Sequence, residues 1–183
     1  MTVLPQFYRT DAEWAALAER LPHTPCPHCH AYGHLLQHGY LYGFDERHPQ
    51  RTPRAHRLFC SNRHAHHGCG RTFSIWLANH IRRLSLTTRG LHDFLQRAVA
   101  DGLAAARRAC VGRSDRTWLR LWKRFRLAQC VLRTALLGRC PPPAVATPPP
   151  RPEAQTLAHL HAAFPDADDP IAAFQQTMRT FFV

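Results

Sequence analysis

Cys26-Pro27-His28-Cys29 and, after an interval of 30 residues, the pair Cys60 and Cys69 constrain this chain more than any other feature. A Cys-x-x-Cys turn and a distant second pair meet only if the chain between them doubles back. Four thiolates in a tetrahedron satisfy a structural zinc ion, and turns at the ends of short β-hairpins are the usual way to present them. The interval suits this. Leu35 to Phe44 is rich in Leu, Tyr and Phe, Asp45 to Pro53 is polar and turn-like, and Arg57 to Phe59 runs directly into Cys60. Cys26, Cys29, Cys60 and Cys69 are therefore the expected ligands of Zn²⁺. The second pair encloses eight residues, Ser61 to Gly68, against the roughly two to four of an ordinary knuckle. His64, His66 and His67 lie inside that insertion and are alternative ligands in place of Cys60 or Cys69. Such a segment buries little apolar surface, so the metal supplies on the order of 10 kcal/mol of its folding free energy.

Charge separates the rest of the chain into functional blocks. Lys and Arg number 24 against 12 Asp and Glu, a formal charge of +12 over 183 residues. Residues 78–140 carry +11 of this and residues 26–77 carry +4, whereas the two ends are slightly acidic. An excess this large is directed at a polyanion, most often nucleic acid. The length allows one or two small domains and excludes a large multidomain enzyme. No long apolar run and no N-terminal export pattern is present, so a cytoplasmic, nucleoid-associated protein with no membrane partner is expected. In that reducing setting a Cys-x-x-Cys pair favours a metal clip over a disulfide, and Cys110, Cys130 and Cys140 read as small hydrophobes or free thiols.

The periodicities give a small α+β chain in five parts. Residues 1–25 form one short helix, with a Thr10/Glu13 capping pattern and Trp14, Leu17 and Leu21 at helical spacing before Pro22. Residues 26–77 are the zinc ribbon of short antiparallel hairpins. Residues 78–140 are an all-α, basic helix-turn-helix domain. There Leu86, Leu91, Phe94, Leu95 and Val99 form one helix capped by Ser85, Thr87 or Thr88 and broken at Asp101-Gly102. Leu103 to Cys110 follows as a second helix, Gly112 supplies a turn, and Ser114 caps a long helix to about Leu137. On that helix Trp118, Leu121, Trp122, Phe125, Ala128, Leu132 and Leu136 share an apolar arc, while Arg116, Arg120, Lys123 and Arg124 lie opposite. Residues 141–152 hold seven prolines and read as a semi-rigid linker. Residues 153–183 form a helical tail: Glu153 to Phe164, an acidic turn Asp166 to Asp169, then Pro170 to Phe182. Ile171, Phe174, Met178 and Phe181 share a face that suits either a partner or the chain's own core.

A helix with one apolar and one basic face can pack on its neighbours and enter a DNA major groove. Arg113, Ser114, Arg116 and Thr117, with Asp115, lie near the helix start and are the candidates for base edges; Arg107 and Arg108 are placed for phosphates, and Arg120, Lys123 and Arg124 extend the basic face.

The run His38-Gly39, then Arg57-Leu58-Phe59-Cys60, then Cys69-Gly70-Arg71-Thr72-Phe73-Ser74, behind Cys26-Pro27-His28-Cys29, resembles the zinc ribbon near the N-terminus of bacterial insertion-sequence transposases and their short companion proteins. The resemblance covers residues 26–77 by motif and 84–137 by organisation. It implies a ribbon followed by a helix-turn-helix that together bind the terminal inverted repeats of an element. In that family catalysis uses three carboxylates on a ribonuclease-H-like fold. Past residue 140 the acids are Glu153, Asp166, Asp168 and Asp169, so no nuclease activity is carried over and no catalytic residue is assigned. The expectation is a non-enzymatic, zinc-stabilised protein that recognises duplex DNA in transposition or transcription regulation. A separate catalytic transposase subunit and a second copy of the chain are its conceivable protein partners. The alternatives are a metal-dependent nuclease or transposase fragment using His64 to His67, an RNA-binding protein, and a partner-recruiting adaptor.

Overall fold

The computed structural model describes residues 4–44, 50–110, 112–144 and 151–183. The chain divides into two compact units, Met1–Ser85 and Leu86–Val183. Among the described residues the architecture is a four-stranded mixed sheet in the first unit and six α-helices, and no helix is long and apolar enough to cross a membrane.

In the first unit, helix α1 (Asp11–Arg20) begins where the capping residues place it. The Thr10 hydroxyl accepts from the Glu13 N–H at 3.1 Å, and the Glu13 carboxylate reaches back to the Arg9 N–H at 2.8 Å. Strand β1 (Phe7–Tyr8) precedes it, β2 (Leu35–Phe44) and β3 (Arg51–Cys60) form an antiparallel hairpin, and β4 (Thr72–Leu77) completes the order β1-β4-β3-β2. β1 pairs parallel to β4, Phe7 opposite Trp76, and is too short to leave a pattern in the sequence. Trp14, Leu17 and Leu21 pack with Tyr8, Leu35, Leu58, Ile75, Cys26 and Cys60 in one core. His56 is buried there, its ring stacked on Trp14 at 3.5 Å, and burial pushes its pKa down so that it stacks as the neutral imidazole.

β3 differs from expectation. It starts at Arg51 rather than near Arg57, so residues 51–53 belong to a strand and not to the polar turn; residues 45–49 of that turn lie outside the described residues. The ladder with β2 recruits this polar stretch because backbone pairing does not require apolar side chains. Two register shifts make it possible. One puts His38-Gly39 against a single step of β3, with Gly39 at φ 100°, a left-handed conformation that glycine adopts without a Cβ clash. The other leaves Arg54 as the extra residue of β3, between Ala55 paired to Leu41 and Pro53 paired to Tyr42.

The second unit contains α2 (Thr88–Ala100), α3 (Leu103–Ala109), α4 (Asp115–Leu137), α5 (Pro152–Ala163) and α6 (Pro170–Met178). Of the three candidate caps for α2, Thr87 takes the role, accepting from the Gly90 N–H at 3.0 Å. α2 packs on α3, α5 and α6, and α4 runs along α5. Three basic residues of α4 and its end are committed to α5: Arg126 pairs with Glu153 at 3.0 Å, Arg133 donates to the Thr156 hydroxyl at 2.8 Å and Arg139 to the Ala163 carbonyl at 3.0 Å. Pro152 opens α5; of the expected linker, residues 145–150 lie outside the described residues.

The C-terminal segment is also rearranged relative to the sequence pattern. α6 stops at Met178 because Arg179 turns left-handed, φ 54°, and the chain folds back. Phe182 is thereby buried, stacked on Phe125 at 5.9 Å and edge-on to Phe174 at 5.4 Å, with its N–H donating to Gln175 at 3.1 Å. Of the apolar face read from the sequence, Ile171 and Phe174 pack into the chain's own core, while Met178 and Phe181 are half-buried. Asp169, expected in a solvated acidic turn, caps α6 through the Ala172 N–H at 2.9 Å and accepts the Thr88 hydroxyl.

Candidate metal centre and cationic helix

Two knuckles of the sheet unit bring Cys26, Cys29, Cys60 and Cys69 together. At the first, the chain after Cys26 closes a turn through His30 N–H to Cys26 C=O and Cys26 N–H to Ala31 C=O, both 2.9 Å. At the second, β3 ends in Cys60, whose N–H donates to the Arg71 carbonyl at 2.9 Å and whose carbonyl accepts the Gly70 N–H at 2.9 Å. The eight-residue insertion does not separate this pair. Gly68 N–H donates to Ser61 C=O at 2.7 Å, pinching Ser61 to Gly68 into a loop whose ends meet. A Cβ at Gly68 would lie 2.4 Å from the Cys60 sulfur, so only glycine closes that loop. The Gly68-Cys69-Gly70 bracket is the local sequence signal of the second knuckle, in addition to the cysteine spacing.

The four sulfurs lie within 4.8 Å of one another. Cys26 Sγ to Cys69 Sγ is 3.8 Å and Cys29 Sγ to Cys60 Sγ is 3.7 Å. A tetrahedral metal with sulfur bonds of about 2.3 Å sets its ligands about 3.8 Å apart, whereas a disulfide would hold them at about 2.05 Å. The cluster thus fits a four-coordinate metal ion. Backbone N–H groups point at the buried sulfurs, His28 N–H to Cys26 Sγ at 3.4 Å and Cys69 N–H to Cys60 Sγ at 3.3 Å, and offset the negative charge of the thiolates. Burial pushes the Cys60 thiol up to about 12 and raises Cys26 as well, while the Ala31 N–H holds Cys29 down to about 7. A divalent cation overcomes that burial by displacing the thiol protons. His64, His66 and His67 are not among the converging ligand atoms; His66 Nδ1 faces His34 Nδ1 at 3.3 Å instead.

In the second unit, α3 ends at Ala109, Gly112 turns at φ 101°, and Ser114 caps α4, its hydroxyl accepting from the Thr117 N–H at 3.3 Å and lying 3.0 Å from the Thr117 hydroxyl. Trp118 is core: its ring stacks on Phe94 at 4.4 Å and its indole N–H donates to the Cys110 carbonyl at 3.1 Å. Leu121, Phe125, Leu132 and Leu136 are buried and Trp122 and Ala128 half-buried, so the apolar arc read from the sequence faces inward. Arg116, Arg120, Lys123 and Arg124 are exposed, and no described residue pairs with them. Arg108 is exposed on α3, and Arg113 is half-buried in the turn. Arg107 is different. Its guanidinium is bound to Asp115 across the turn and holds that carboxyl below the usual carboxylate range, so both residues fasten α3 to the start of α4. Beyond Arg124 the exposed residues of α4 include the apolar Leu127, Val131 and Leu137 beside Arg126.

No family model, no curated protein and no solved structure matches this chain.

Proposed function

We propose that this is a zinc-stabilised protein that binds double-stranded DNA through the first half of α4, as in the recognition region of insertion-sequence transposases. One observation carries the reading: Arg116, Arg120, Lys123 and Arg124 stand exposed on one stretch of α4, and among the described residues no acidic side chain pairs with them. Unneutralised cations at helical spacing repel one another and are relieved by a row of phosphates. The order α3, tight turn at Gly112, capped α4 is that of a helix-turn-helix, with the start of α4 as the end presented to the groove. A duplex of DNA is favoured over one of RNA because the A-form major groove is too narrow to admit a helix. In this reading Cys26, Cys29, Cys60 and Cys69 hold Zn²⁺, which supplies fold rather than chemistry, since four protein thiolates leave no open position for water or substrate.

The test is duplex-DNA affinity, measured by fluorescence anisotropy at several salt concentrations, for the wild type and for Arg120→Glu combined with Lys123→Glu. Loss of affinity in the variant supports the reading. Equal affinities refute it.

A further inference from the structure

A cavity of about 380 Å³ lies between the end of β2 with the start of β3 and the segment after β4, within the size range of small-ligand sites. Its lining has a marked chemistry. Arg51, Arg54, Arg82 and Arg83 contribute guanidinium groups, and no carboxylate lines it among the described residues. The same cavity is faced by three aromatic rings, Tyr42, Phe44 and Trp76, and two of these already accept an arginine over the ring plane. Arg51 lies 5.6 Å from the Phe44 centroid and Arg82 lies 5.6 Å from that of Trp76.

The local backbone is shaped around one of these cations. Arg54 is the extra residue at the register shift of β3, and such a bulge re-aims its side chain. It is 6% exposed and donates to the Phe44 carbonyl. Gly43 makes the room: a Cβ there would come within 3.1 Å of Arg54 Cγ and Nε. At the rim Arg83 holds φ 61°, the left-handed conformation that a residue with a side chain rarely takes. On the other wall Tyr42 and Phe44, two apart on β2 and so on one face, leave 55% and 49% of their surface exposed.

We infer that this cavity is a nucleotide site, in which a planar base stacks on Tyr42 or Phe44 and its phosphate is held by Arg54, Arg82 and Arg83. Exposed rings beside a cluster of arginines match a ligand that is flat and apolar at one end and doubly anionic at the other. A free mononucleotide and an unpaired nucleotide at a strand end share that chemistry. The inference does not depend on α4, because every lining residue belongs to the sheet unit.

The experiment titrates the full, zinc-loaded chain with adenosine monophosphate, with inorganic phosphate, with a blunt DNA duplex and with the same duplex carrying a three-nucleotide single-stranded extension. Tyr42→Ala and the double variant Arg82→Ala, Arg83→Ala are run in parallel; all three side chains are exposed, and unchanged metal content and circular dichroism verify their folding. The expected result is that the mononucleotide, the extension, or both bind the wild type at least about fivefold more tightly than either variant, through the loss of one base stack in Tyr42→Ala and of charge-assisted phosphate contacts in the double arginine variant. The mononucleotide alone assigns a free nucleotide; the extension alone assigns a strand end. The inference is overturned if neither binds, if the variants bind as the wild type does, or if inorganic phosphate binds as tightly as the mononucleotide. Blunt-duplex affinity that falls with Arg120→Glu and Lys123→Glu but not with Tyr42→Ala keeps the α4 reading separate from this one.

Discussion

Removing the metal should unfold the sheet unit and leave the helical unit standing. Structural zinc binds small modules with about 10–16 kcal/mol. A unit of 85 residues has a total stability of only about 4–13 kcal/mol at the usual 0.05–0.15 kcal/mol per residue. Two of the nine buried residues in its core, Cys26 and Cys60, are themselves metal-ligand candidates, so chelation withdraws the ion and leaves desolvated thiols behind. The helical unit has a separate core around Phe94, Leu121, Phe125 and Phe182. The four tryptophans report on both at once. Trp14 and Trp76 lie in the sheet unit, Trp118 and Trp122 in the helical one. In a ¹H–¹⁵N spectrum of the zinc-loaded chain, four dispersed indole signals are expected. A high-affinity chelator should collapse those of Trp14 and Trp76 towards random-coil positions while those of Trp118 and Trp122 persist, and one equivalent of zinc should restore the spectrum. Four unmoved signals would refute the metal's role in folding; collapse of all four would refute the assignment of two self-sufficient cores.

The cationic face predicts a salt slope: with four phosphate contacts from Arg116, Arg120, Lys123 and Arg124, log affinity against log salt falls with a slope of about −3.6, and Arg120→Glu with Lys123→Glu brings it to about −1.8 or shallower. A flat response in the wild type would remove the phosphate contacts from the account. Phe182→Ala empties a fully buried site between Phe125 and Phe174, and should cost about 3–5 kcal/mol, a fall of roughly 12 °C or more in the melting temperature of the helical unit by calorimetry; an unchanged transition would mean that the C-terminal turn is not part of the core. Burial, with His161 beside it at 3.0 Å, pushes the His92 pKa below 6.5, so the unfolded chain binds the proton that the folded chain refuses. Stability of the helical unit is therefore full above about pH 6.5 and declines as pH falls towards the depressed folded value; thermal melts between pH 7.5 and 5 should show this decline and a smaller one in His92→Gln, and equal slopes would refute it.

Local signals decided what was legible in the sequence. Thr10 with Glu13 and Ser114 announce helix starts because a capping oxygen acts within three residues of its own position, whereas Ser85, Thr87 and Thr88 were equal candidates for α2 until the fold chose Thr87. The inward arc of α4 was readable because helical spacing alone sets which side chains share a face. The four cysteines were readable as a set by residue type. Their meeting at 3.7 and 3.8 Å was not, because it depends on Gly68 closing the Ser61 to Gly68 loop and on the β3–β4 ladder that carries Cys60 to the Cys69 turn.

Composition, charge and short-range spacing therefore determined by themselves the helix starts, the candidate thiolates and the basic block. The tertiary structure alone decided that Arg107 is held by Asp115, that Phe182 turns back into its own core, and that Arg54 is steered by a bulge into a cavity lined with rings. Each of these joins residues whose side chains carry no local pattern, through a left-handed turn, a register shift or a partner on another element. Backbone pairing and packing across the fold set such contacts, and they leave no period in the chain that a linear reading can detect.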